Sequence, residues 1–480
     1  VRLSLLLLLL GAGCGGPNGN PSHEALGKEL GALLQGGRPT EATAAPPRFE
    51  PGEQVESMVS PGGLFRLHFS RSGPNAVTVA DVDGNGVPDS VDTVARTYDA
   101  VAVFYSGMGY RLPPRDSGGT GEHGGDERFD VYLVDFAGRA DGAFRVEGCL
   151  TTDLGCSGYM LQENDFAGYG YPSHEHAVAT LASHEFFHAV QAAYRTGLGR
   201  MAEEGTAVWA SEHFAPELDD LERAAPAYLS HADRSLVVEP DGPAQSFSYG
   251  ASLFFQFLSE RLGEGVVLSM WEESVHAPSA RWPTLLETVL RRDWGMDFDT
   301  TFSEFAQWNL ATGESAREGS GYARGADYSG LVLAARELPV DEPAVRVAAA
   351  STRYFEVPGG TESVSASFDP REGTESAALH LLVAAVNEHE VLRIVRADGP
   401  GHLSAQVSAR DATHVVVAMV NGRPEGDGRY GRLRISSRSP HEDPSGGCQI
   451  APGALPWALL LTATVWRRSP RRRTTRRVPP

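Results

Sequence analysis

The chain has 480 residues, of which 41% are apolar and 21% charged, enough for a full hydrophobic core and two or three domains and unlike a disordered polypeptide. Its formal charge of -21 leaves no net attraction to phosphates, and no basic stripe interrupts the body of the chain, so a nucleic-acid partner is excluded. An acidic surface of this kind suits solubility and cation binding.

The first fourteen residues combine one positive charge, an apolar run from Leu5 to Leu10, and Gly11-Ala12-Gly13-Cys14, which reads as an export signal. The small-small-Cys end resembles the bacterial lipoprotein box, although that box usually has leucine where Gly11 stands. Residues 15–62, rich in Gly, Pro, Ala, Thr and Glu, read as a linker or short pro-segment. From Phe65 the pattern changes to short alternating runs, Leu64 to Phe69 and Phe129 to Val134, which predict strands.

Between those runs lies DVDGNGVPDSVD, residues 81–92, which fits a twelve-residue calcium loop. Asp81, Asp83 and Asn85 stand at positions one, three and five, Gly86 supplies the turn, Val87 offers a carbonyl, and Asp89 and Asp92 take nine and twelve. Asp at twelve and Pro88 at eight depart from the helix-loop-helix pattern, and a helix is expected only after the loop, from Ser90 to Tyr105. So many oxygen side chains close together repel one another without a cation, so a structural Ca2+ is expected. Cys149 and Cys156, in a chain routed to an oxidising compartment, are expected to form a disulfide. Gly158 to Phe166 reads as a strand ending just before the next helix, where an extended substrate can add to a sheet edge.

The stretch Leu181 to Glu212 carries the chemistry. His184-Glu185-Phe186-Phe187-His188 is an HExxH motif, and Ala177, Val178, Leu181, Ala182, Phe186, Ala189, Val190 and Ala193 recur at helical spacing around it. Two histidines four apart lie on one helix face and reach one ion, while Glu185 faces the water to be activated. His174 and His176 precede them and read as polar residues at a helix start. A catalytic Zn2+ needs a third protein ligand, and the chain offers Glu203, Glu204 and Glu212.

The segment Glu204-Gly205-Thr206-Ala207-Val208-Trp209 resembles the Glu-Gly-x-Ala-x-aromatic segment by which gluzincin peptidases supply a glutamate from a second helix. The resemblance carries Glu204 over as third ligand; Glu203 is the second choice, and Glu212 is expected to hold a ligand histidine by its other ring nitrogen. Glu204 follows His188 by sixteen residues, a few fewer than in thermolysin-like peptidases. Tyr249 resembles the tyrosine placed before a helix in several gluzincins, which implies a donor to the developing oxyanion. Glu185 is then the general base of a peptidase.

Residues 251–312 read as a helical subdomain, and seven alternating runs between residues 353 and 435 read as a β-sandwich. At the C-terminal end, Cys448, an apolar run from Ile450 to Trp466 and a cluster of arginines resemble the sorting signal of myxobacterial surface proteins. Taken together, DVDGNGVPDSVD, GYRLPP, FDVYLVDF, HEFFHAVQAAY, EEGTAVW and FAQWNLATG resemble a family of secreted metalloproteases found in myxobacteria, over residues 65–313.

The expected architecture is therefore α+β. A zincin-like domain, residues 63–335, has an N-terminal sheet, an active-site helix and a helical subdomain; an all-β sandwich covers 336–440 and a sorting signal 441–480. The expected protein is an exported or surface-anchored monomeric zinc endopeptidase. It acts on proteins or peptides and is held to a membrane by an N-terminal lipid or the C-terminal segment. The rival reading is a calcium-stabilised, non-catalytic surface adhesin.

Overall fold

The computed structural model describes residues 37–41, 44–116, 124–239, 246–371, 379–388 and 390–438. The expected export signal, residues 15–36 and the sorting segment lie outside them. Among the described residues no helix is long and apolar enough to cross a membrane.

The first sheet is made of β1 (Val55–Val59), β2 (Phe65–Ser70), β3 (Phe129–Val134), β4 (Gly142–Thr151) and β5 (Leu154–Glu163), in the order β1-β2-β3-β5-β4. β2, β3 and β5 run parallel, and β1 and β4 are added antiparallel at the two edges. The parallel step from β2 to β3 needs a crossover, and α1 (Asp89–Gly107) lies within it. β3 is buried along its whole length because both its faces are covered. Phe129, Val131 and Leu133 face the main core beneath the helices, while Tyr132 and Val134 join Phe49, Tyr159 and Leu161 in a smaller cluster on the other face.

That second face corrects the expected boundary at residue 62. The segment read as linker contributes β1, paired with β2 from Val55↔Ser70 to Val59↔Arg66, and the fully buried Arg38. The Arg38 guanidinium is held by Asp116, Asp130 and Glu147 and by the Tyr132 hydroxyl. Three carboxylates around one cation compensate its removal from water.

The substrate-edge expectation is corrected as well. β5 lies inside the sheet, and the edge beside the helices is β4. β4 and β5 form a hairpin in which Cys149 and Cys156 face each other and are disulfide-bonded.

Next come α2 (His174–Tyr194) and α3 (Arg200–Phe214). Helices follow as α4 (Asp220–Leu229), α5 (Ser246–Gly250), α6 (Ser252–Leu262), α7 (Gly265–His276), α8 (Trp282–Val289) and α9 (Phe298–Trp308). Their aromatics pack as core, with Phe254 and Phe302 edge to face against Phe305 and Phe257 tilted against it.

After β6 (Ala334–Ala335) come β7 (Val340–Val347), β8 (Ser351–Pro358), β9 (Ser363–Pro370), β10 (Leu379–Val386), β11 (Val391–Gly399), β12 (Leu403–Ser408), β13 (His414–Asn421) and β14 (Arg429–Arg438). They form two sheets, β11-β10-β13-β8-β6 and β12-β9-β14-β7, so the strand at β7 adds to those read from sequence. Alternate residues of β10 and β13 divide between two cores. Leu381, Val383, Val415 and Val417 fill the space between the sheets, while Leu382, Ala384, Val416 and Ala418 join the helical core. The chain is α+β, and its sandwich is continuous with the helical region through that shared core.

Candidate metal centre

α2 begins where its sequence allows. Ser173 is extended and its hydroxyl accepts from His176 N, and Glu175 in the first turn complements the helix dipole. The helix is buried on nearly every side, so His184, Glu185 and His188 are fixed by packing before any metal is considered. His174 packs against Phe166 at the helix start and His176 lies in the first turn; neither belongs to the ligand group.

The reversal into α3 takes only Arg195 to Gly199. It depends on Gly197 (φ 70°) and Gly199 (φ 111°), backbone conformations that L side chains rarely adopt. A Cβ on Gly205 would lie 2.9 Å from the Phe255 ring and 3.1 Å from Ala251 Cβ, so the glycine lets α3 settle against the helices below. The residue before it is Glu204.

This packing brings three ligand atoms together from two helices. His184 Nε2 and His188 Nε2 are 3.3 Å apart, and Glu204 Oε2 is 3.4 Å from the first and 3.5 Å from the second. Tetrahedral zinc with bonds of about 2.0–2.1 Å separates its ligand atoms by about 3.3–3.4 Å. The donor set of two imidazoles and one carboxylate, with Glu204 Oε2 buried and making no hydrogen bond, therefore fits a zinc ion. Burial pushes the Glu204 carboxyl up, but the two histidines outweigh it and hold the group below its ordinary value. For His188, burial acts downward and is overcome by the Glu204 carboxylate, leaving the imidazole raised to about 9.

Glu185 lies beside the ligands, fully buried. Its Oε2 accepts from Phe144 N on β4 at 3.2 Å, while its Oε1 has no hydrogen-bond partner. Burial raises its pKa to about 7, against the smaller opposing effect of His188 and His184. Tyr249, half-buried in α5, places its ring 5.8 Å from that of His184.

The alternative glutamates go elsewhere. Glu203 Oε1 accepts from Leu198 N in the turn before α3. Glu212 is corrected: it pairs with Arg324 at 2.8 Å and does not touch a ligand histidine. The partner of His188 is Gln191, whose Oε1 accepts from Nδ1 at 2.8 Å. Sequence reading missed it, although its place three residues after His188 on the same helix face was a usable signal. It also missed Asp141, which has no motif around it. Asp141 is buried, accepts from the Tyr171 hydroxyl at 2.6 Å, and is raised by burial while the charge of His184 acts the other way.

In the acidic loop, the carboxylates of Asp81, Asp83 and Asp89 converge within 4.8 Å. Asn85 turns its amide nitrogen to Asp83 and Asp92, and the backbone N–H groups of Asn85 and Gly86 bind Asp81. Val87 N donates to Asn85 Oδ1. The loop is entered from an extended segment after β2 and leads into α1, so there is no preceding helix.

No family model matches the chain, and no curated protein does either. Among solved structures it is similar in part to a family GH115 4-O-methyl-alpha-glucuronidase with specificity for decorated arabinogalactans. The two are 10% identical over 54% of this chain and 39% of the other, well under two thirds of that enzyme's length. The TM-score is 0.14, too low to carry an argument about either fold or activity.

Proposed function

We propose that the chain is a zinc-dependent endopeptidase of zincin-like fold. The observation that carries this reading is the triangle of His184, His188 and Glu204 ligand atoms with the buried Glu185 carboxylate beside it. A non-catalytic zinc site has no use for such a carboxylate.

Zinc, when bound, supplies a Lewis acid that activates water and polarises the scissile carbonyl. Glu185 does the proton work. Phe144 N fixes one of its oxygens, and the other, without a partner, takes a proton from the attacking water and passes it to the leaving amine. Its burial, which disfavours the charged form, suits a carboxylate that must take up a proton. Tyr249, beside His184, is the proposed donor to the oxyanion. β4, the sheet edge that carries Phe144, offers backbone groups for pairing with an extended substrate. The disulfide and the terminal segments support export, and the acidic loop is proposed to hold a structural calcium.

The test uses the full chain, with zinc measured by elemental analysis and hydrolysis measured on casein. Glu185→Gln is expected to keep one zinc and lose activity by about 10²- to 10⁴-fold, and Glu204→Gln to lose the metal. Full activity in Glu185→Gln sinks the mechanism, and zinc bound without hydrolysis of any peptide favours the adhesin reading.

A further inference from the structure

Gln191 is 3% exposed and lies between the two helices that carry the ligands. His188 Nδ1 donates to its Oε1 at 2.8 Å, and its Nε2 donates to the Glu203 carbonyl at 2.7 Å and to Thr206 Oγ1 at 3.0 Å. The Thr206 hydroxyl hydrogen is committed to the Ala202 carbonyl at 2.7 Å, so Oγ1 can only accept from Gln191. Trp271 Nε1 on α7 donates to the same oxygen at 3.3 Å.

These partners decide the amide orientation. A flipped Gln191 would set its carbonyl oxygen against the Glu203 carbonyl and an acceptor-only hydroxyl, losing two buried hydrogen bonds and opposing like dipoles. The NH2 group must therefore face α3 and the oxygen must face His188. It follows that Nδ1 of His188 is a donor, which leaves Nε2 as the ring nitrogen that faces Glu204 Oε2 and His184 Nε2 and would bind an ion held there.

The Glu203 carbonyl belongs to the peptide group that precedes Glu204. One side chain thus holds a ligand on α2 and the backbone next to a ligand on α3. We propose that Gln191 is a positioning residue of the metal centre: it sets the tautomer and rotation of His188 and ties the spacing between His188 and Glu204. Being a neutral amide, it does this without adding a negative charge behind the imidazole, so the ligand donates less charge to the metal than one backed by a carboxylate. This inference rests on the zinc reading above.

The experiment compares the full chain with Gln191→Met, which keeps the volume and removes every hydrogen bond of the amide. Zinc affinity is measured by competition with a chromogenic chelator, and folding of both metal-free chains by circular dichroism. The variant is expected to fold and to bind zinc about 10- to 100-fold more weakly. Its cobalt-loaded form is expected to show an altered visible spectrum. Affinity within twofold of the parent, with an unchanged cobalt spectrum, overturns the proposal.

If Gln191→Met does not fold, ¹⁵N NMR of the His188 ring in the zinc-loaded parent decides. A protonated Nδ1 with Nε2 ligated supports the proposal, and Nδ1 ligation overturns it. A parent chain that binds no zinc overturns the metal-centre reading itself, and this one with it. A parent that binds zinc within twofold of its variant and shows the same cobalt spectrum overturns this one alone.

Discussion

Glu185 illustrates how burial shifts the ionisation of a single carboxyl. In water its carboxyl would be ionised at neutral pH, but inside α2 desolvation raises it to about 7. Glu163, at the end of β5, is raised to about 7 by burial too, although Phe136 N and the Tyr169 hydroxyl bind it and pull the other way. From pH 4.5, its unperturbed value, up to about 7, folded Glu163 keeps a proton that the unfolded chain has released. Its contribution is therefore complete below pH 4.5 and is lost as pH rises through 7. Denaturant midpoints measured from pH 4.5 to 7.5 are expected to fall with rising pH, and Glu163→Gln to flatten the slope by about one proton. An unchanged slope in the variant would count against the assignment. At this scale the pairing of His184 with His188 was legible, because helical spacing sets which side chains share a face, whereas Glu204, which lies with them, was singled out by resemblance to the gluzincin segment. Asp141 was not, because its partner Tyr171 is far from it in sequence, and Gln191 offered only its spacing from His188, since its other partners, Glu203 and Thr206, lie on α3.

Among the elements, the α2–α3 pair is shaped by glycine. Gly197 and Gly199 turn the chain within five residues, and Gly205 lets α3 approach closely enough to aim Glu204 at the histidines. The acidic loop between β2 and α1 poses a different problem: Asp81, Asp83 and Asp89 are brought together with only local hydrogen bonds to offset their repulsion. Adding 1 mM calcium to the zinc-loaded, calcium-free chain is expected to stabilise it. With a dissociation constant on the order of 10⁻⁴ M the gain is about 1.4 kcal/mol, read as a rise in Tm. Asp81→Ala should abolish that rise, and a parent Tm indifferent to calcium argues against an ion in the loop. The loop and the helix after it were readable from residue types alone, whereas Asn85 turning its amide to Asp92 depends on where α1 places Asp92.

For the whole molecule, the decisive feature is the sheet that serves two cores. Leu382, Ala384, Val386, Val416, Ala418 and Val420 face the helical region, and the Tyr354 hydroxyl donates to the Ala306 carbonyl of α9 at 2.8 Å. At the edge of this junction His380 lies between Asp299 and Asp398. A fragment of residues 336–440 would expose that apolar face, so it is expected to bind a hydrophobic dye or aggregate; a soluble, dye-silent fragment would show that the sandwich is self-sufficient. The runs LHLLVAAV and HVVVAMVN, read as alternating, are in fact nearly continuous in apolar residues, and a strand with one wet face alternates while a doubly buried one does not. The sequence by itself determined what local rules govern: the α+β composition, most of the strands and helices, the cysteine pair, and the helical spacing of His184 and His188. Only the tertiary structure decided that residues 38 and 55–59 belong to the first domain, that β4 is the edge, that Glu212 serves Arg324, and that Gln191 links α2 to α3. Periodicity records which face of an element is buried, but the partner that buries it is chosen by contacts far apart in the chain.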